Sequence, residues 1–293
     1  MLPTPTWFVG CGNMAGAMVE GWRSAGIDLS GAVVIRPSGR PVEGLRTVPS
    51  VAEAVAPATG VVNISSNGNA GGSPRLVILG FKPQQLNEAA PELARWVAPG
   101  TVVVSILAGV EVATLRERFP NAGAIVRALP NLPVAVRRGV VALYSDDADE
   151  NAREMLSQLF APLGFALWAN SEASLAAIGS VAGAGPAYVA RFVDALAKAG
   201  TERGLSRELA GTIALETVLG TAWMAATTGE GMDALARRVA SPKGTTEAGL
   251  AVLDTEQVLD KLVALTVAAA ARRGAELAEE ARSAKLADQP SLP

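Results

Sequence analysis

The sequence feature that most limits the possible folds is the glycine-rich segment FVGCGNMAGA at residues 8–17. It follows a short apolar run and precedes a helical pattern, so it predicts a turn between a first strand and a first helix. Gly10 permits the tight turn, Gly12 permits close approach of a pyrophosphate, and Ala15 permits close packing of the helix. This spacing predicts a dinucleotide-binding loop, with a plain structural turn as the alternative.

Beyond this loop, apolar runs alternate with helical patterns as far as about residue 168. We predict further strands at residues 32–36, 75–83, 101–109, 124–131 and 139–145. Continuous apolar strands separated by helices are typical of a parallel sheet covered on both faces. From Ser171 onward only helical patterns occur. The sequence therefore predicts an α/β fold, with a dinucleotide-binding domain at residues 1–168 and an all-helical domain at residues 169–293.

One stretch of the first domain fits neither pattern. Residues 57–74 carry no charge and are dense in turn-forming residues, so we predict a surface insertion with a small hairpin at Asn67-Gly68.

The end of the second predicted strand bears on which dinucleotide is bound. A site that prefers NAD places an acidic residue about 20 residues beyond the glycines, where it binds the ribose 2′-hydroxyl. Here the strand ends in IRPSGR, and Arg36, Ser38 and Arg40 offer two guanidinium groups and a hydroxyl, which suit a 2′-phosphate. We predict NADPH as the cofactor, with NADH as the alternative cofactor and ordinary surface arginines as the structural alternative.

A second loop, ASPKGTTEAGL at residues 240–250, lies just ahead of an apolar helical run. Thr245 and Thr246 are placed where that helix begins, so several backbone N–H groups there lack helical partners. A helix start of this kind can bind the carboxylate of an amino-acid-like substrate. The alternative is that one threonine caps its own helix, and both can hold because a cap satisfies only one donor.

The composition excludes several classes of site and partner. The chain contains no histidine, which removes Ser-His-Asp triads, Cys-His dyads and most zinc sites, so we predict no metal. Cys11 is the only cysteine, which excludes an intrachain disulfide. The net charge of −3, without a block of like charges, disfavours nucleic acid and anionic membranes as partners. With no signal-peptide pattern and no apolar run near the ~20 residues that span a bilayer, we predict a cytoplasmic protein.

Taken together, six segments resemble the pyrroline-5-carboxylate reductase family in order and spacing: FVGCGNMAGAM, VILGFKPQ, VVSILAGV, VRALPNLPVAV, GAGPAYV and SPKGTTEAGLAVL. The resemblance covers nearly the whole chain and implies a Rossmann domain followed by a helical domain that forms a homodimer. The implied activity is the NAD(P)H-dependent reduction of a cyclic imino acid, 1-pyrroline-5-carboxylate, to proline. Assembly beyond a dimer is left open.

The resemblance also implies two groups of site residues. The cofactor-binding group comprises Gly10, Gly12, Asn13, Met14, Arg36, Ser38, Lys82, Pro83, Asn131 and Pro133. The substrate-binding group comprises Ser241, Gly244, Thr245 and Thr246, with Lys243 inside the same loop. The two threonines are the candidate catalytic residues, because the resemblance implies a hydroxyl near the ring nitrogen.

The chain departs from the family pattern at Leu132, Ala182, Ala184, Lys243 and Glu247. The alanines replace serines, the leucine a threonine, the lysine a glycine, and the glutamate a small or apolar residue. Lys243 would pair with a carboxylate, extend recognition to a second acidic group, or fill part of the pocket. Another cyclic imine is therefore the alternative substrate.

The absence of histidine agrees with imine chemistry. Reduction of a carbonyl creates an alkoxide that needs a proton donor, whereas a protonated cyclic imine accepts hydride directly. Two other functions stay open. A 3-hydroxyacid dehydrogenase of similar architecture would need a lysine as acid–base group, with Lys198 on an interior-facing helix as the best-placed residue. A catalytically silent NADP(H)-binding regulatory protein is the other. The apolar helical half predicts a homodimer in every case.

Overall fold

The computed structural model describes residues 2–55 and 73–287. Most of the predicted insertion, including Asn67-Gly68, lies outside these residues, so its hairpin stays a prediction. The described chain forms two compact units. One comprises the described residues up to Gly183 together with those from Ala271 onward, and the other comprises Ala184–Ala270. The division into domains at residues 1–168 and 169–293 is therefore kept as a prediction.

The first unit is built on a sheet of eight strands among the described residues, in the order β3-β2-β1-β4-β5-β6-β7-β8. The strands are β1 Thr6–Val9, β2 Ala32–Ile35, β3 Arg46–Val48, β4 Leu76–Leu79, β5 Val102–Ser105, β6 Ala124–Pro130, β7 Gly139–Tyr144 and β8 Gly164–Trp168. The predicted fold class, an N-terminal Rossmann-like α/β domain followed by helices, is confirmed.

The prediction of a parallel sheet is wrong at one pair of strands. Strands β6 and β7 pair antiparallel, with Arg127 opposite Tyr144, whereas the other neighbouring strands pair in parallel. Only a short 3-10 helix, Leu132–Val136, connects β6 to β7. A parallel crossover needs a dozen or more residues, so a connection of this length returns the chain in the opposite direction.

Among its described residues, the first unit wholly contains six α-helices: α1 Asn13–Ser24, α2 Val51–Val55, α3 Leu86–Ala94, α4 Val112–Arg118, α5 Glu150–Phe160 and α6 Glu172–Ile178. They cover both faces of the sheet, as the continuous apolar strands predict. On β1, Trp7 belongs to the apolar cluster of one face, and Phe8 belongs to that of the other. Trp22 of α1 is fully buried beside Phe8, and its indole N–H donates to the Leu159 carbonyl at 2.7 Å.

The second unit is entirely helical within Ala184–Ala270. Its helices are α7 Gly185–Glu202, α8 Arg207–Thr228, α9 Met232–Val239, α10 Thr245–Asp254 and the first part of α11, Val258–Ala287. Large apolar side chains of this unit are exposed in the single chain. They include Val189, Phe192, Ile213, Leu219, Trp223, Leu262 and Leu265.

Two long helical segments, Glu172–Glu202 and Arg207–Thr228, are apolar enough to cross a membrane by length and composition alone. In an 18-residue stretch of each, the mean hydropathy is 1.3, and only 6% and 11% of the residues of that stretch are buried. The prediction that no stretch approaches this length is therefore wrong, because isolated polar residues interrupt the apolar runs without lowering their average. A helix face that packs against a second protein chain meets the same criterion.

Candidate functional site

Helix α1 begins directly after the glycine-rich loop, and its first turn is open. Gly12 is the N-cap residue in an extended conformation, and no side chain caps the helix. The first turn contains no acidic residue. Asn13 and Met14 therefore lie at a helix start whose backbone N–H groups and partial positive charge are available to a phosphate.

The turn before α1 requires glycine for two reasons. Gly10 has φ +76°, and a Cβ atom there would lie 2.9 Å from the backbone nitrogen of Phe81 and 3.0 Å from the Gly80 carbonyl oxygen. Backbone hydrogen bonds fix this approach, since the Gly80 N–H donates to the Val9 carbonyl at 2.8 Å. The loop is thus held tightly against the end of β4.

A cleft of about 850 Å³ opens at this edge of the sheet, where β1, β2 and β4 end. Open α/β sheets bind their ligands at such carboxyl ends. Seven of the predicted cofactor-binding residues line the cleft together: Gly10, Gly12, Asn13, Met14, Arg36, Ser38 and Lys82.

Sequence reasoning missed other residues of the same cleft. They are Pro49, Ser50 and Val51 after β3, Phe81 after β4, Gln85 just before α3, Glu88, Ala89, Glu92 and Leu93 along α3, and Ile106 after β5. Their signal is positional, since most of them follow a strand of the sheet or belong to the helix after β4. Only β3, a three-residue strand that was not predicted, gives no such signal in advance.

Arg36 and Ser38 form a tight turn on the cleft wall. The Arg36 Nε–H donates to the Ser38 hydroxyl oxygen at 3.1 Å, and the Gly39 N–H donates to the Arg36 carbonyl at 2.9 Å. This contact uses Nε and leaves the two terminal nitrogens of the guanidinium for a ligand. Arg40 is exposed and is not among the residues that line the cleft, although its backbone N–H donates to Ser38 at 3.4 Å.

Cys11 lies between the two glycines and is half-buried in the cleft. Burial raises the pKa of its thiol above the ordinary value, while the Arg36 guanidinium acts in the opposite direction. The thiol is therefore protonated at neutral pH, so this cysteine is not an activated nucleophile. The described residues also contain no group of three or more His, Cys, Asp or Glu able to hold a metal ion.

Besides Arg40, three predicted cofactor residues lie outside the lining of the cleft. Pro83 opens the short helix that follows Lys82. Asn131 is buried, and its side-chain amide is held by the backbone: the oxygen accepts the Val140 N–H at 2.7 Å and the nitrogen donates to the Ala182 carbonyl at 3.0 Å. Pro133 follows in the β6–β7 connection. Asn131 therefore shapes that connection through its side chain.

The second loop lies in the helical unit. The N-cap of α10 is Gly244 and no side chain caps the helix, so neither threonine is a cap. Thr245 and Thr246 occupy the first two helical positions, where the first is exposed and the second half-buried. The Gly244 N–H donates to the Ser241 carbonyl at 2.9 Å, and a Cβ atom on Gly244 would lie 2.3 Å from the Ser241 hydroxyl. The same Cβ atom would lie 2.9 Å from the Ser241 backbone carbonyl oxygen, which cannot rotate away as the hydroxyl can, so the loop favours glycine at the cap.

Two family models together cover both parts of the chain in which these loops lie. The family description "Pyrroline-5-carboxylate reductase dimerisation" matches residues 172–277, and "NADP oxidoreductase coenzyme F420-dependent" matches residues 7–109. A pyrroline-5-carboxylate reductase of Pseudomonas aeruginosa is 35% identical over 93% of this chain and 96% of its own length. One of Pisum sativum is 32% identical over 90% of this chain and 93% of its own length. The chain belongs to the pyrroline-5-carboxylate reductase family.

Solved structures of this reductase family have the same fold. A pyrroline-5-carboxylate reductase from Coxiella burnetii superposes with a TM-score of 0.79 at 28% identity, covering 94% of this chain and 99% of its own. A Plasmodium falciparum pyrroline carboxylate reductase with NADP bound gives a TM-score of 0.77 at 23% identity, covering 94% and 98%.

The lysine expected for a 3-hydroxyacid dehydrogenase does not have the predicted setting. Lys198 is exposed, and its Nζ lies 2.7 Å from Asp194 Oδ2. The prediction that it lies on an interior-facing helix is wrong for the single chain, because none of the residues of α7 is buried there. The hydrogen bond from Lys198 lowers the pKa of Asp194, so this pair is an ordinary surface ion pair.

Proposed function

We propose that this reductase-family protein catalyses the NADPH-dependent reduction of 1-pyrroline-5-carboxylate to L-proline. The observation that carries the proposal is the 35% identity to the Pseudomonas aeruginosa enzyme over 93% of the chain. The cleft at the end of β1, the uncapped start of α1 and the absence of histidine support it.

The cofactor-binding roles follow from the shape of the cleft. The free N–H groups after Gly12 bind the pyrophosphate, and the missing side chain at Gly12 leaves room for it. Arg36 and Ser38 bind the 2′-phosphate, with Arg40 adding charge from outside the cleft. The remaining residues assigned to cofactor binding, towards its nicotinamide end, are Lys82, Pro83, Asn131 and Pro133. When bound, NADPH supplies a hydride to the substrate.

The substrate-binding roles belong to the loop before α10. No described residue accepts the backbone N–H groups of Thr245 and Thr246, so these donors are free to bind the substrate carboxylate. Ser241, Lys243 and Gly244 shape the loop around it. A hydroxyl from Thr245 or Thr246 orients the ring nitrogen. Since the imine arrives protonated, hydride adds to the C=N carbon and the nitrogen keeps its proton, so no further acid is needed.

We propose a homodimer formed through the helical domain, residues 169–293. The exposed Phe192, Leu219 and Trp223 support it, because exposed apolar surface of this extent marks a contact with another chain. The dimerisation description that matches residues 172–277 agrees. In this assignment the two apolar helices face a second copy and not a bilayer, and the protein works in the cytoplasm without nucleic acid.

A substrate panel tests the proposal, with cyclic imines and 3-keto acids assayed with NADPH and NADH, and 3-hydroxy acids assayed with NADP+ and NAD+. We expect NADPH oxidation with 1-pyrroline-5-carboxylate, no NADPH oxidation with 3-keto acids, and no NADP+ reduction with 3-hydroxy acids. Preference for another cyclic imine would correct the substrate and keep the reaction. Oxidation of a 3-hydroxy acid, or tight NADPH binding without turnover on any imine, would refute the proposal. Thr246→Val, with Thr246→Ser as the matched variant that keeps the hydroxyl, then tests the orienting role.

A further inference from the structure

The loop before α10 holds a lysine in an unfavourable backbone conformation. Lys243 has φ +59°, in the left-handed region that residues with a Cβ atom rarely adopt. It directly precedes the N-cap Gly244, so its conformation sets the direction in which the chain enters the helix. Something in the surrounding structure must therefore stabilise this turn.

The stabilising group is the side chain of Glu247. Its Oε2 accepts the backbone N–H of Lys243 at 2.5 Å, a short hydrogen bond to an ionised acceptor. On the other side of the same turn, the Gly244 N–H donates to the Ser241 carbonyl at 2.9 Å. Two hydrogen bonds on successive N–H groups thus fix the turn.

The position that Glu247 takes also matters for the helix start. A carboxylate in the first turn of a helix is drawn to the free N–H groups of that turn, where it would compete with a bound anion. Here the carboxylate is engaged with Lys243, one residue before the cap. The N–H groups of Thr245 and Thr246 therefore keep no partner among the described residues.

We propose that Glu247 is a positioning residue, which acts through the backbone of Lys243 to hold the loop in its substrate-binding conformation and to leave the first N–H groups of α10 free. This assignment rests on the proposed function of the loop. It predicts that the role of Lys243 lies in its backbone conformation, so glycine at that position makes Glu247 dispensable.

A double-mutant cycle on the full-length enzyme tests this assignment. In Glu247→Ala we expect the KM for 1-pyrroline-5-carboxylate to rise about tenfold, because one charge-assisted hydrogen bond is lost. The kcat and the KM for NADPH should stay within about twofold of wild type. Glu247→Gln keeps an acceptor oxygen, so its KM for 1-pyrroline-5-carboxylate should stay within about threefold of wild type. Glu150→Ala, which removes an exposed first-turn glutamate from α5, is the matched control.

The decisive comparison is Lys243→Gly with and without Glu247→Ala. Because glycine adopts the left-handed conformation without strain, Lys243→Gly and the double variant should have the same KM for 1-pyrroline-5-carboxylate within about twofold. The comparison of these two variants stays informative even if Glu247→Ala alone does not fold. A KM that rises about tenfold in the double variant over Lys243→Gly would overturn the assignment. So would an unchanged KM in a folded Glu247→Ala. Inactivity of the wild-type enzyme on every imine would overturn the proposed function as well, which separates the two failures.

Discussion

Replacement of Arg36 by glutamine is the sharpest test of cofactor choice. In the structure the guanidinium lies in the cleft, with Nε bonded to Ser38 and its terminal nitrogens left for a ligand. A 2′-phosphate would accept charge-assisted hydrogen bonds from them, and NADH carries no such group. Arg36→Gln removes this charge while keeping a side chain of similar length.

The size of the effect follows from the exposure of the site. A hydrogen bond to a charged group contributes about 1.5–3 kcal/mol, and the half-buried position of Arg36 places it near the lower end. About 1.5–2 kcal/mol corresponds to roughly a 10- to 30-fold rise in the KM for NADPH. The KM for NADH should change less than about threefold.

Steady-state kinetics with both cofactors measure this selectivity directly. Arg95 is an exposed arginine at the C-cap of α3, outside the lining of the cleft, so Arg95→Gln is the matched control for loss of one positive charge. The rise in the KM for NADPH in Arg40→Gln should lie between those of Arg36→Gln and Arg95→Gln, because Arg40 lies near Ser38 but does not line the cleft. Equal losses for NADPH and NADH in Arg36→Gln would refute the assignment of the 2′-phosphate site.

Three further predictions concern backbone fit and acid stability. Because Gly10 has φ +76°, Gly10→Ala should destabilise the fold by about 1–2 kcal/mol, and calorimetry should detect no NADPH binding. Gly16 has open space around it, so Gly16→Ala should stabilise the fold by about 0.5–1 kcal/mol. If both bind NADPH alike, the loop assignment is wrong. Gly21→Ala would place a Cβ atom 2.1 Å from a backbone carbonyl oxygen of the β6–β7 connection. Chemical denaturation should therefore show that the free energy of unfolding falls by about 3 kcal/mol. A fall of less than about 1 kcal/mol would contradict this packing. Asp147 is partly desolvated, which alone would raise its pKa, but hydrogen bonds from the Ile125 N–H and from Arg116 outweigh this and lower it. The ionised Asp147 side chain therefore stabilises the fold above the pKa of about 4 that it has in the unfolded chain, and this stabilisation is lost as the pH falls through its lower pKa in the folded protein. The melting temperature of Asp147→Asn should therefore depend less on pH below about 4 than that of wild type. An equal dependence of the melting temperature on pH in Asp147→Asn and wild type would contradict this prediction.

The parts of the fold and site that local sequence determines could be predicted. The glycine loop places Gly10 and Gly12 by sterics alone, and Arg36 with Ser38 follows from their position after the second strand. The antiparallel direction of β7, which was predicted as a strand, and the short β3 were missed because they depend on how segments meet. β8, whose short run GFALW lies partly or fully exposed, was missed as well.

The second loop shows a different limit. Glycine and threonine both serve as N-caps, so the sequence alone could not decide that α10 begins after Gly244. The left-handed conformation of Lys243 and its bond to Glu247 were equally hidden, since a lysine gives no signal of positive φ. Lys198 was misplaced because an apolar helical stripe predicts burial without saying whether the covering surface belongs to the same chain.

Transfer of deuterium from NADPH labelled on C4 of the nicotinamide ring tests the central claim most directly. The wild-type enzyme, incubated with 1-pyrroline-5-carboxylate and the cofactor carrying the label on either face of C4, is expected to yield proline with deuterium on C5 from one of the two. Mass spectrometry and NMR of the product locate the label. Proline without deuterium from either cofactor, or no proline while NADPH stays bound, would contradict direct hydride transfer to the imine carbon.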